Sequence, residues 1–265
     1  MAVIGFIGAG NMGGALARAA AKCDKNRILL ADNDAAKVNA LAQEISAQVS
    51  TNLQICETAD YIFLGVKPQV LSSLLNDICD VLSARKDRFV LVSMAAGVTT
   101  KKITETLNFH APVIRIMPNL PVSVGTGMIL YTTNNDVKTS ETETLVDVMQ
   151  FSGIWDKIDE QLIDAASAVS GCGPAFAFMF ASALAKGGVQ NGLSYEQAIK
   201  YAAQTLKGAA EMLLCGGDAE KLTDAVCSPG GSTIEGVKVL RKNDLDGIVG
   251  ETVKASYDRT VELGK

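Results

Sequence analysis

The chain has 265 residues, 48% hydrophobic and 20% charged, with 24 Lys+Arg against 29 Asp+Glu. That composition speaks against disorder, and the length suits one large α/β domain or two smaller ones with ample core. A net charge of −5 speaks against a nucleic-acid partner, since gripping phosphates takes clustered Lys and Arg. The single histidine, His110, leaves little room for Ser-His-Asp catalysis, multi-His metal sites or His-dependent carbonyl reduction. It lies in a connection before a strand and reads as a solvated loop residue.

Short apolar, β-rich runs alternate with helical patterns from the first residue to about 155. The expected strands are Val3–Ile7, Ile28–Ala31, Tyr61–Val66, Phe89–Ser93, Val113–Met117 and Gly127–Tyr131, with helices such as Asn11–Lys22, Ala35–Glu44 and Gln69–Leu82 between them. Tyr61–Val66 has no polar alternation, as expected of a parallel strand covered on both faces. This repetition predicts a doubly wound Rossmann sheet over residues 1–158. From 159 to 265 no strand is expected. Ala, Leu, Gly and Met recur at helical spacing, predicting an all-α second domain. Ala175–Ala185 is apolar on every face and must be enclosed. About 100 residues supply few neighbours for that, so a second subunit is the expected cover. The fold class is therefore α/β: a Rossmann domain followed by an all-α dimerisation domain.

The six cysteines form no CxxC and are spaced irregularly, which reads as reduced thiols in a cytoplasmic protein. Residues 1–17 are uncharged, but glycines interrupt them and no basic segment precedes, so no signal peptide is expected. The uncharged stretch 165–185 is broken at Ser170-Gly171-Cys172-Gly173-Pro174, leaving a piece well short of the roughly 20 residues that span a bilayer. Neither a membrane nor a bound metal is expected.

Val3 to Gly13 reads as a strand running through Gly8-Ala9-Gly10-Asn11-Met12-Gly13 into a helix. Gly8 permits the tight turn, Gly10 lets the backbone approach a pyrophosphate and Gly13 lets helix and strand pack closely. Amides at the helix N-terminus then hold the phosphates. Asp32 ends the second strand about 20 residues on, where a ribose-binding acid is expected. A carboxylate there accepts hydrogen bonds from a 2′-hydroxyl and repels a 2′-phosphate, so the residues lean towards NADH. Other strand ends leave through Val66-Lys67-Pro68, Met94-Ala95-Ala96-Gly97 and Met117-Pro118-Asn119. Each is a turn former on its own, and together they line one crevice.

A second glycine-rich helix start is Cys227-Ser228-Pro229-Gly230-Gly231-Ser232-Thr233. It is too short for a pyrophosphate but suits one carboxylate. A plain helix cap accounts for it equally well. Thr233 has two readings, as a cap or as a hydroxyl offered to a ligand.

In the order and spacing of Gly8–Gly13, Val66–Pro68, Ala95–Gly97, Arg115-Ile116-Met117-Pro118-Asn119-Leu120-Pro121, Ser170–Phe176 and Ser228–Thr233, the chain resembles pyrroline-5-carboxylate reductases over essentially its full length. The resemblance implies reduction of the cyclic imine L-1-pyrroline-5-carboxylate to L-proline by NADPH or NADH, in a homodimer interlocked through C-terminal helices. It puts Gly8–Gly13 (Gly8, Ala9, Gly10, Asn11, Met12 and Gly13) on the pyrophosphate, Asp32 and Asn33 at the ribose and Asn52 near the adenine. Val66, Lys67 and Pro68 with Ala95, Ala96 and Gly97 then lie alongside the cofactor. It puts Ser228, Gly230, Gly231 and Thr233 on the substrate, with Thr233 near the ring nitrogen as the one candidate catalytic group. Cys172 and Phe176 stand where the family has hydroxyl-bearing residues, and Leu120 where Thr is common. Asp32 replaces a small polar residue of NADP-using members, so family habit leans towards NADPH. A 3-hydroxyacid dehydrogenase would need a lysine one turn into the first helix of the second domain, and none precedes Lys186. A non-catalytic dinucleotide-binding regulator would have no use for Gly230–Thr233.

Overall fold

The computed structural model describes residues 2–263. Eight strands form one sheet: β1 Ala2–Ile7, β2 Asn26–Ala31, β3 Gln48–Val49, β4 Tyr61–Leu64, β5 Val90–Ser93, β6 Val113–Met117, β7 Gly127–Thr133 and β8 Gly153–Lys157. Their order is β3-β2-β1-β4-β5-β6-β7-β8, with every neighbouring pair parallel except β6 and β7. The sheet is the doubly wound one expected, and its antiparallel step has a physical reason. Between Met117 and Gly127 the chain makes only a 3-10 turn, Leu120–Val124, which is too short for a parallel crossover.

The interleaved helices are α1 Asn11–Ala21, α2 Ala35–Glu44, α3 Asn52–Thr58, α4 Pro68–Ala84, α5 Thr100–Leu107 and α6 Thr139–Val148. Strand alternation sorts the apolar side chains into two layers. Ile4, Phe6, Tyr61, Phe63, Val90, Val92, Ile114 and Ile116 pack with α1, α2 and α6. Ile7, Ile62, Leu64, Leu91 and Val113 pack with α3, α4 and α5. Phe6 and Phe63 stack across neighbouring strands, centroids 4.5 Å apart. Burial pushes the Cys56 thiol and the Tyr61 phenol each up to about 12. All six cysteines are free thiols.

The remaining helices are α7 Ile163–Ser170, α8 Gly173–Gln190, α9 Tyr195–Leu214, α10 Ala219–Val226, α11 Ser232–Lys242 and α12 Leu245–Leu263. The chain divides into two compact units: residues up to Cys172 with the stretch from Ser256 onward, and Gly173–Ala255. The sheet lies wholly in the first. The second is all helix, with α8 and α9 packed side by side. Its buried apolar residues among those described are four alanines, Ala181, Ala185, Ala198 and Ala202. Phe178, Met179, Tyr201, Met212 and Leu214 are exposed in the single chain.

Candidate active site

The site begins where β1 ends. Gly8 has φ +96°, a conformation glycine adopts without strain, and donates its amide to the Ala31 carbonyl at 2.8 Å. A Cβ on Gly8 would lie 2.7 Å from the Gly65 backbone, and one on Gly13 would run into the Gly8 carbonyl oxygen. The ends of β1 and β4 and the first turn of α1 therefore meet backbone to backbone. Gly10, in open space, is the N-cap of α1 and supplies no side chain to it. The first helical bond runs from the Gly14 amide to the Gly10 carbonyl, so the amides of Asn11, Met12 and Gly13 project from the helix end without helical acceptors. No acidic residue stands in that turn. An uncapped helix N-terminus behind a glycine turn suits a pyrophosphate.

Asp32 serves this turn from the end of β2. One carboxylate oxygen accepts from the Ala9 amide at 2.6 Å, the other from the Asp34 amide at 2.9 Å. The acid expected on a ribose is thus also the brace that holds the glycine turn, which spacing alone does not reveal. Asn33 is exposed beside it, and Asp34 caps α2 through the Lys37 amide at 3.0 Å. Asn52 opens α3 immediately after the Thr51 cap, shortly after β3 in the chain.

Two more strand ends face the same rim. After β4 the chain passes through Gly65 and Val66 to Lys67, the N-cap of α4, with Pro68 at the first helical position and no side-chain cap. Lys67 is exposed. After β5, Ala95-Ala96-Gly97 forms a tight turn with Gly97 at φ +73° and the Val98 amide on the Ala95 carbonyl at 3.3 Å. The structure thus gathers Gly8–Gly13, Asp32, Asn33, Val66–Pro68 and Ala95–Gly97 at the carboxyl end of the parallel strands. Sequence reasoning missed Gly65, whose signal was a glycine closing an otherwise continuous apolar strand. It also passed over the side chain of Asn119, which accepts from the Met128 amide and donates to the Ser170 carbonyl, both at 2.9 Å.

Ser228, Gly230, Gly231 and Thr233 belong to the helical unit. The Gly231 amide closes a turn on the Ser228 carbonyl at 3.0 Å, with Gly230 at φ +71°. Gly231 is the N-cap of α11 and brings no side chain to the helix end. Thr233 lies one residue inside the helix and does not cap it. Of the two readings of Thr233, the cap is therefore removed, and the residue is exposed in the first turn of a helix without a side-chain cap. Among the described residues no group of His, Cys, Asp and Glu is arranged to hold a metal.

Residues 160–263 match the family model for pyrroline-5-carboxylate reductase dimerisation, and residues 3–97 that for NADP oxidoreductase, coenzyme F420-dependent. Bovine pyrroline-5-carboxylate reductase 2 is 38% identical over 272 residues, covering 98% of this chain and 83% of the relative. The chain belongs to the pyrroline-5-carboxylate reductase family. Its structure agrees: the Coxiella burnetii pyrroline-5-carboxylate reductase superposes with a TM-score of 0.90 at 31% identity, covering 100% of this chain and 99% of that one. The Plasmodium falciparum pyrroline carboxylate reductase, solved with NADP bound, superposes with a TM-score of 0.86 at 30% identity, over 100% and 98% of the chains. Family membership makes the chain an oxidoreductase with a nicotinamide dinucleotide cofactor, and the helical half one built for self-association.

Proposed function

We propose that the chain reduces L-1-pyrroline-5-carboxylate to L-proline with NADH or NADPH, the closing step of proline biosynthesis. The observation that carries this reading is the pair of uncapped, glycine-led helix starts, Gly8–Gly13 and Ser228–Thr233, in a chain of this family. The division of labour falls at residues 158/159: dinucleotide binding before it, substrate binding and self-association after it.

Bound at Gly8–Gly13, a nicotinamide dinucleotide supplies the hydride. The chain's own residues bind and orient. The amides of Asn11, Met12 and Gly13 take the pyrophosphate, Asp32 and Asn33 the ribose, Asn52 the adenine side, and Val66–Pro68 with Ala95–Gly97 the flank towards the nicotinamide. Asp32 places a negative charge at the ribose corner, which disfavours a 2′-phosphate and supports NADH, while the family's habit supports NADPH. Ser228, Gly230 and Gly231 hold the substrate carboxylate in a backbone nest, and the Thr233 hydroxyl holds the ring nitrogen.

A protonated imine becomes a neutral amine when it accepts hydride. No alkoxide forms, so no strong general acid is required, and alignment supplies most of the rate. The only histidine fits that chemistry: the His110 side chain is 96% exposed, 3.6 Å from Asp136. The apolar segment Glu160–Gln190 has the length and hydropathy of a membrane span. We read it instead as dimer-buried helix, because it lies in the stretch 160–263 that matches the family's dimerisation model. The free thiols support a cytoplasmic location. No nucleic-acid partner enters this reading, given the acidic charge.

Purified protein given pyrroline-5-carboxylate and either NADH or NADPH should oxidise the cofactor and release one L-proline per hydride. Thr233→Ala should lower turnover roughly tenfold or more while cofactor binding is retained. No oxidation of either cofactor by the wild-type protein would overturn the reading in favour of a dinucleotide-binding regulator.

A further inference from the structure

Arg115 is the largest fully buried side chain among the described residues, with 1% of its surface exposed, in the middle of an otherwise apolar strand. Alternation along β6 sends Ile114 and Ile116 to one face and leaves Arg115 with Val113 on the face covered by α5. Its Nη2 donates to Asp164 in the first turn of α7, and its Nη1 lies 3.9 Å from Glu160. The Glu160 carboxylate also accepts from the Thr100 amide at 2.7 Å and from the Thr100 hydroxyl at 3.0 Å. Thr100 is the first residue of α5, just after the Ala95–Gly97 turn. One guanidinium therefore ties together β6, the helix start behind the cofactor-side turn, and the start of α7. The other end of α7 is fastened separately, by Asn119 on the Ser170 carbonyl. From there the chain passes through Gly171 and Cys172 into the helical unit.

Stability explains this arrangement poorly. Burying a guanidinium carries a desolvation cost that apolar side chains of similar volume avoid, and such replacements often leave a protein equally stable. Arg115 in addition keeps a buried Nε without a partner. What the group supplies is direction, because the charge-assisted hydrogen bond from Nη2 fixes the Asp164 carboxylate in angle and distance as apolar packing does not, while Nη1 attracts Glu160 from 3.9 Å.

We propose that Arg115, Glu160 and Asp164 form a positioning clamp for the reductase reaction, fixing the Ala95–Gly97 turn and α7 in one frame. With Arg115 buried, the clamp acts through the turn and the helix it holds. This inference rests on the functional reading above. Catalysis by alignment is the kind most sensitive to small displacements of such a frame.

The test uses full-length Glu160→Ala, Glu160→Gln and Arg115→Met, each followed by turnover, cofactor titration, thermal melting and amide hydrogen exchange. Glu160→Ala should lower kcat roughly tenfold, with cofactor affinity held within about twofold. Exchange should quicken selectively across residues 95–104 and α7. Glu160→Gln, which keeps an acceptor for Thr100, should recover part of both kcat and protection. Arg115→Met, which leaves Asp164 without its partner, should show the same pattern together with a lowered melting temperature. Unchanged kcat in folded Glu160→Ala, or loss of activity only in step with general unfolding, would overturn the clamp. Should Arg115→Met not fold, Glu160→Ala decides alone. Should the wild type fail to reduce pyrroline-5-carboxylate, the functional reading falls and the clamp's role in that reaction falls with it, whereas unchanged exchange in Glu160→Ala of an active protein removes the clamp alone.

Discussion

In the unit built on the sheet, Ile4, Phe6, Ile62, Phe63 and Leu64 are fully buried, and both faces of the sheet are covered by the chain's own helices. In the helical unit the buried apolar residues are alanines, while Phe178, Met179 and Leu214 stand 60%, 73% and 75% exposed. The first unit has a core of its own; the second, by itself, carries core-forming side chains that its own described residues leave exposed. Apolar periodicity reports that a side chain is buried, not which molecule buries it. A dimerisation domain is such a case, and the family match over 160–263 names it as one.

The largest effect should come from spoiling the uncovered side. Met179→Asp puts a charge on the most exposed large apolar residue of α8 in every copy. It should raise the dissociation constant of self-association roughly 100-fold or more, with turnover falling alongside, as sedimentation across a dilution series will show. The sheet unit should keep its cofactor affinity. A variant that remains associated would place the interface elsewhere.

Spoiling the other side should do the reverse. Gly65→Ala pushes a methyl group against the Gly8 carbonyl and so against the glycine turn. Cofactor affinity should fall roughly tenfold by fluorescence titration, with sedimentation unaltered. Wild-type affinity would show that the turn tolerates displacement.

The smallest effect is a pH dependence confined to the sheet unit. Burial raises Cys56 from 9.0 to about 12 and Tyr61 from 10.0 to about 12, so the folded state favours both neutral forms. Their contribution is complete below the unfolded values and is lost as pH climbs from about 9 towards 12. Thermal melting should be insensitive to these groups near neutrality and decline above that point, less steeply in Cys56→Ala. An identical alkaline decline in that variant would remove Cys56 as a cause.

How far this was legible in the sequence depended on how local the cause was. Gly8–Gly13 could be read because a strand, a turn and a helix start lie within a dozen or so residues. The continuous run at Tyr61 announced a strand covered on both faces. β8 escaped because it is an edge strand: Ile154, Asp156 and Lys157 are exposed, and it lacks the apolar run of its neighbours. The reversal of β7 was implicit in the short Pro118–Thr126 connection but invisible to periodicity, which carries no strand direction. In the site, the spacing put Asp32 in its place but not its grip on Ala9, which depends on how the turn folds back. Arg115 left a signal, a charge inside an apolar strand that demands a buried partner, yet its partners lie about 50 residues away along the chain.

The central claim is that the helical unit is completed by a second copy of the chain. Sedimentation velocity of the purified wild-type protein at micromolar concentration tests it directly. The account predicts dimers or larger closed assemblies, with turnover per chain falling on dilution as they dissociate. A monomer that reduces pyrroline-5-carboxylate at full rate would contradict it.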